Sequence, residues 1–136
     1  MNESDYHRYI DAFNARDYAA MERFFADDVT LENAGFAVRG KTAFREFYGF
    51  FHQYCRETVR LQGFYAGAAG FVANVVIRFE GLEDLTPEIL ARQGLSGMTP
   101  ISRGALVDLE FLILYALNAD GLIRHIKGAV WVPAPR

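Results

Sequence analysis

Cysteine is almost absent: Cys55 stands alone in 136 residues, so no internal disulfide can form. A lone thiol, together with an opening stretch, MNESDYHRY, that lacks the apolar segment of a secretion signal, predicts a cytoplasmic protein. Cationic runs are missing too. The formal net charge is −3 and Lys and Arg are scattered, so there is no positive stripe of the kind that phosphate backbones require, and no nucleic-acid partner is expected. The longest apolar run, Phe111 to Leu117, falls far short of the roughly 20 residues that cross a bilayer, so no membrane partner is expected either. His7, His52 and His125 show no metal-ligand spacing such as HExxH, and no metal is expected. GxGxxG and Walker patterns do not occur, and in GLSG, Gly94 to Gly97, the second glycine comes one residue too early for a nucleophile elbow. No cofactor is expected.

Apolar residues make up 51% of the chain and aromatics 15%, with 12 Phe and 7 Tyr. That suffices for one core, with aromatic surface left for a pocket or a subunit interface, and residues 1–136 read as a single domain. Ser4 or Asp5 is the expected cap of a first helix running to about Ala15, with Tyr6, Tyr9, Ile10 and Phe13 at i, i+3, i+4 and i+7. Asp17 is placed to cap a short second helix. A strand with Val29 and Leu31 on one face should present Asn33 on that same face. After a turn at Gly35 and an extended piece to Gly40, a third helix is expected from Thr42 to Cys55, with Phe44, Phe47, Tyr48 and Phe51 as its stripe.

ETVRLQGFY and GFVANVVIRFEG read as strands joined through AGAAG. Residues 81–103 form a long link with a helical turn at Pro87. Two long strands close the chain around the turn NADG. Alternation points Phe111, Ile113 and Tyr115 inward, Asp108 and Glu110 outward, Ile126 and Val130 inward, and His125 with Trp131 to the other face. Helices first and antiparallel strands after predict an α+β fold with three N-terminal helices packed on a strongly bent antiparallel sheet that encloses a pocket.

Three polar side chains are pointed inward by these periodicities: Tyr9, Asn33 and Tyr48. A buried hydroxyl or amide without a partner costs about 1–3 kcal/mol, so each requires a neighbour, a water or a ligand. Taken singly, a buried Tyr with its hydroxyl on a carbonyl, or an Asn closing a turn in NAG, is ordinary structure. Taken together, three such groups on three elements around one cavity form a candidate site.

The stretch Arg8 to Asn33, RYIDAFNARDYAAMERFFADDVTLEN, followed by GKTAFREFY, Gly40 to Tyr48, resembles the ketosteroid isomerases. These belong to the nuclear-transport-factor-2-like superfamily, a cone-shaped fold that also holds the SnoaL-like polyketide cyclases typified by nogalonic acid methyl ester cyclase. The resemblance implies that Tyr9 is the donor to a developing oxyanion and Tyr48 a second tyrosine hydrogen-bonded to it. It also exposes two departures. Asn33 falls on the general-base aspartate of the isomerases, where a neutral amide cannot accept a proton. Ile113, counted back from Gly121, falls on the second oxyanion donor. The acidic and histidine positions of the cyclases fall near Gly128 and Leu114.

The resemblance therefore implies an isomerase, cyclase or dehydratase acting on a small apolar, oxygenated molecule (steroid-, terpenoid- or polyketide-like), with Tyr9 and Tyr48 as oxyanion donors and Asn33 orienting substrate or water. Phe13, Phe51, Phe111, Ile113 and Val130 are the expected ligand-binding residues, and His52, one helical turn after Tyr48, is a candidate base or a solvated helix residue. The alternatives are a non-catalytic binder of a hydrophobic ligand and an interaction module. A homodimer through the sheet face is expected. The link 81–103 either covers the cavity mouth, with Gly94 and Gly97 as hinges, or is a surface excursion.

Overall fold

The computed structural model describes residues 1–33 and 35–135. Helix α1 spans Glu3–Asn14 and α2 spans Tyr18–Glu22. They are followed by β1 (Phe25–Asn33), β2 (Phe36–Arg39) and α3 (Lys41–Phe51). A four-stranded meander then runs through β3 (Cys55–Ala66), β4 (Gly70–Gly81), β5 (Leu106–Leu117) and β6 (Ile123–Val130), with α4 (Pro87–Arg92) inside the β4–β5 link.

The six strands form one sheet in the order β2-β1-β6-β5-β4-β3. The expectation of an antiparallel sheet needs one correction: β1 runs parallel to β6, pairing Leu31 with Ile126, while every other neighbouring pair is antiparallel. The helices intervening between β1 and β6 allow this, since parallel neighbours need a long crossover. Bulges after Leu61 in β3 and at Arg124 in β6, opposite the Ala116–Leu117 step of β5, interrupt the register, as suits a sheet that bends.

The first helix starts earlier than expected. Its cap is Asn2, whose side chain accepts from the Asp5 N–H at 2.8 Å while the Asp5 carboxylate accepts from the Asn2 N–H at 2.8 Å. Asp5 therefore belongs to the capping box and Ser4 lies inside the helix. Asp17 caps α2 through Ala20, as its position predicts. Helix α3 stops at Phe51 and not at Cys55, because Cys55 already pairs with Gly81 in β3. In the β5–β6 turn, the Asn118 side chain accepts from Asp120 and Leu122, and Gly121 takes the left-handed conformation at φ 78°.

One core lies between the helices and the concave face. Tyr6, Tyr9, Ile10 and Phe13 of α1 and Phe44 of α3 meet Val29, Phe71, Val75, Phe111, Tyr115 and Ile126 of the sheet. A second cluster joins Phe47, Phe51 and Cys55 to Leu85 and Leu90 of the link.

The end of α1 is fastened to the sheet by a single amide. Asn14 donates from Nδ2 to the Val59 carbonyl at 3.0 Å and accepts from the Val59 N–H at 2.8 Å, as a neighbouring strand would. Replacing Asn14 by Ala leaves both backbone groups of Val59 without this partner and is expected to cost about 1–3 kcal/mol. Urea unfolding measures it, and an unchanged midpoint would show that the clamp contributes nothing.

Candidate functional site

The concave face of the sheet and the helices enclose a cavity of about 330 Å³. Its wall is mainly apolar and aromatic, with Phe13, Phe36, Phe44, Phe47, Phe51, Phe79 and Phe111 among the lining residues. Val107, Leu109 and Val130 line it and are also solvent-exposed, so they form an apolar rim at the mouth.

Of the residues singled out in the sequence, Tyr9, Asn33, Tyr48, Phe13, Phe51, Phe111, Ile113 and Val130 all line the cavity. His52 is not in the wall. It is 3% exposed and sits behind Tyr48, ring centroids 5.1 Å apart, so it is not a solvated helix residue. His125 lies on the other face of the sheet and meets Glu32 at 3.0 Å. Asn33 ends the inward row of β1 beside Gly128, where a Cβ on the glycine would stand 3.5 Å from the Asn33 amide.

The tyrosines are arranged differently from the pair that the resemblance implies. Tyr6 and Tyr115 join hydroxyls at 2.9 Å, and the Tyr9 ring packs on both. Tyr48 packs instead on Phe13, Phe44 and Phe47. Between Tyr9 and Tyr48 there is no hydrogen bond among the described residues. The Tyr48 hydroxyl meets no hydrogen-bond partner among the described residues and remains available to the cavity.

Burial is the first cause of raised pKa values at Tyr6, Tyr9, Tyr48 and Tyr115, and the charge of Glu57 adds to the rise at Tyr9 and Tyr48. All four stay protonated and able to donate well into the alkaline range. The Cys55 thiol is pushed up to about 12 by burial, then by the Glu57 charge, which makes it inert.

Glu57 was not among the residues expected to line a site. Among the described lining residues it is the single charged one. It is 8% exposed, and its Oε1 lies 3.1 Å from His52 Nε2. His52 Nδ1 lies 2.8 Å from the Tyr18 hydroxyl, which also reaches the Tyr48 carbonyl at 3.4 Å. Arg16, held at φ 56°, donates from Nη1 to the His52 carbonyl at 3.1 Å, which sets a positive charge at the C-terminal end of α3.

The link belongs to this site. Met98, Thr99, Pro100 and Ile101 line the cavity, and Leu85 pairs with Ile101 through two backbone hydrogen bonds. Gly97 rests directly on Gly35 at the β1–β2 turn: a Cβ on Gly97 would stand 2.5 Å from the Gly35 carbonyl oxygen. Two glycines thus let the link lie flush against the first hairpin and close that side of the cavity. Among the described residues no group of His, Cys, Asp and Glu is arranged to hold a metal ion, and no helix is long and apolar enough to cross a membrane.

The family model of the SnoaL-like domain matches residues 6–126. Among solved structures, a candidate polyketide cyclase from Xanthomonas campestris is 25% identical, with 90% of this chain and 84% of that chain covered and a TM-score of 0.71. A Mycobacterium tuberculosis protein in complex with estradiol-17β-hemisuccinate is 19% identical, with coverage of 93% and 89% and a TM-score of 0.68. A computationally designed 17-OHP binder is 18% identical, with coverage of 93% and 88% and a TM-score of 0.68. None of the curated protein sequences matches the chain.

The buried tyrosines generate a pH prediction. Their ordinary value is 10.0 and their folded values are higher, so above pH 10 the native state holds protons that the unfolded chain has lost. The corresponding stability is complete below pH 10 and is lost as pH rises beyond it, by up to about 1.4 kcal/mol per pH unit for each tyrosine. Urea unfolding between pH 8 and pH 11.5 should show the decline, and Tyr6→Phe should make it shallower. A slope unaffected by Tyr6→Phe would contradict the assignment.

Proposed function

The chain belongs to the SnoaL-like domain family of nuclear-transport-factor-2-like proteins, and from that premise we propose that it takes an apolar, carbonyl-bearing small molecule into its cavity and acts on it as an isomerase, cyclase or dehydratase. The observation that carries this reading is a polar donor in a mainly apolar enclosure. Tyr48 lines an aromatic cavity of about 330 Å³ with its hydroxyl unclaimed among the described residues. That volume falls at the small end of ligand sites, roughly 300–1,000 Å³. A carbonyl oxygen satisfies the Tyr48 hydroxyl, and as charge builds on that oxygen the hydrogen bond strengthens. Tyr9 and Asn33 supply further polar contacts from the opposite elements. The neighbour in complex with estradiol-17β-hemisuccinate and the designed 17-OHP binder support a ligand of this size and polarity.

A second reading, a binding protein without turnover, is favoured by Asn33 and Ile113, which stand where the resemblance implies two acidic groups. Both readings require the ligand. Estradiol-17β-hemisuccinate and 17-OHP are suitable probes, with a saturated hydrocarbon of similar shape as control. A steroid at a hundredfold excess over its Kd should stabilise the protein by about 2.7 kcal/mol, read as a raised Tm. Tyr48→Phe should weaken binding of the oxygenated probes about five- to tenfold and leave the hydrocarbon unaffected. If no probe raises Tm, the cavity does not serve this class of ligand.

The convex face of the sheet supports a homodimer. Leu106, Leu112 and Leu114 point outward from β5 and are exposed, interspersed with the Arg78–Asp108 ion pair and the Asn74–Glu110 hydrogen bond. An apolar stripe with satisfied polar neighbours suits a self-complementary contact. Light scattering at micromolar concentration should give twice the chain mass of 15.4 kDa, and Leu112→Arg with Leu114→Arg should halve it. A monomeric wild-type protein would sink this part of the proposal.

A further inference from the structure

We propose that Glu57 is the proton-transferring base of the cavity, held in place by His52 and Tyr18. The inference rests on the reading of the cavity as a site for a carbonyl compound. It supplies what the sequence comparison leaves missing: Asn33 cannot take a proton, and Ile113 offers nothing.

Glu57 is the second inward residue of β3, between Cys55 and Val59, so the strand's own alternation sends its carboxylate toward the cavity. A carboxylate in such surroundings is expensive unless it is paired and hydrogen-bonded. Here one oxygen, Oε1, faces His52 Nε2 at 3.1 Å. The other oxygen takes part in no hydrogen bond among the described residues. Glu57 lines the cavity, and a ligand there would meet this second oxygen.

The groups behind Glu57 form a chain that can hold a proton in two places. With His52 neutral, Nε2–H donates to Glu57 and Nδ1 accepts from the Tyr18 hydroxyl. With His52 protonated, Nδ1–H donates to the Tyr18 oxygen, and the Tyr18 hydroxyl turns to the Tyr48 carbonyl. Both states keep the Glu57–His52 and His52–Tyr18 bonds, and the Tyr18 bond to the Tyr48 carbonyl forms in the second. Tyr18 is half-buried and carries the chain to the surface. The charged and titratable groups around the pair come from every element packed on it: Arg16 after α1, Tyr9 from α1, Tyr18 from α2, Tyr48 from α3 and Cys55 from β3. Arg16 is the cation of this set, with its guanidinium on the His52 carbonyl.

The step balances without any co-reactant. Glu57 Oε2 takes a proton from the carbon next to the ligand's carbonyl. The C–H electron pair becomes the new C=C bond, and the carbonyl π pair moves onto oxygen, where the Tyr48 hydroxyl donates to the enolate. Two returns restore the carboxylate. The proton goes back to a different carbon, giving an isomer, or the enolate carbon attacks a second carbonyl of the same molecule and the new alkoxide takes the proton, closing a ring.

The test follows the proton and not a particular product. 5-Androstene-3,17-dione is incubated with the protein in D2O, and deuterium entering the carbon positions beside its carbonyls is read by mass spectrometry, with isomer formation followed in parallel. The wild-type protein should bind the probe and accelerate exchange. Glu57→Gln, which keeps the shape, should bind it equally well and lose at least a hundredfold in exchange rate. Glu57→Asp provides a second variant if Glu57→Gln does not fold: a shorter carboxylate should keep measurable exchange.

His52→Gln, which retains an N–H donor near the Nε2 position, should keep most of the exchange rate. His52→Leu should lower it about tenfold with half-saturation unchanged, a split that a merely structural role would not produce. Binding without exchange in the wild type, or exchange that survives Glu57→Gln, overturns the assignment of Glu57 and leaves the ligand reading intact. Absence of both binding and exchange overturns both.

Discussion

The pairing of β1 with β6 is the contact on which the rest depends. It sets the first strand beside the last, in parallel, and so joins the helical first half of the chain to the meander of the second. Without it, β1 and β2 would be a small separate hairpin and the meander an open sheet with one greasy face. With it, the inward row of β1 continues across β6 and β5 as a single curved wall, Leu31 beside Ile126 and Ile126 beside Tyr115. The helices α1 and α3 then have one surface to cover and are too few to fill it, so a cavity remains. The unfilled space follows from the count and placement of the elements and does not require any special residue.

Polar groups inside that wall divide into two kinds. Tyr6 and Tyr115 satisfy each other and belong to the core, where they rigidify the deep end of the cavity. Tyr48 and Glu57 reach the cavity with bonding capacity left over. The difference lies in neighbours, not in residue type. Tyr6 faces a hydroxyl across a T-shaped ring contact with Tyr115, whereas Tyr48 is surrounded by phenyl rings and the tilted His52 imidazole. A buried carboxylate is tolerated because two donors meet at the end of α3: the His52 ring at Glu57 itself, and Arg16, from the turn after α1, at the helix carbonyl just behind it.

Much of this was legible in the residues. The stripe Tyr6, Tyr9, Ile10, Phe13 specifies the buried face of α1, and the alternation through Asn33, and through Phe111 and Ile113, specifies which side chains look inward. What was not legible is instructive. Reading β3 from Glu57 makes its charge look like the polar start of a strand. The strand begins at Cys55, and Glu57 becomes an interior position. The partner of Glu57 sits five residues earlier, across a helix end, and no periodic template connects the two. The parallel β1–β6 pair was equally invisible, since pairing between distant strands leaves no local pattern. The Tyr6–Tyr115 bond joins residues 109 positions apart and is set by tertiary packing alone.

The Asn14 amide has a consequence beyond fastening a helix. Strand β3 is the edge of the sheet, and an edge strand of twelve residues exposes a ladder of unpaired backbone groups to any extended segment that approaches it. By occupying both the N–H and the C=O of Val59, Asn14 divides that ladder into two shorter runs, neither long enough to register a second strand securely. At the opposite edge, β2 is only four residues long. Both margins of the sheet are thereby closed to further growth, one by brevity and one by a side chain that imitates a strand, and the open cone is kept from becoming a template for fibres.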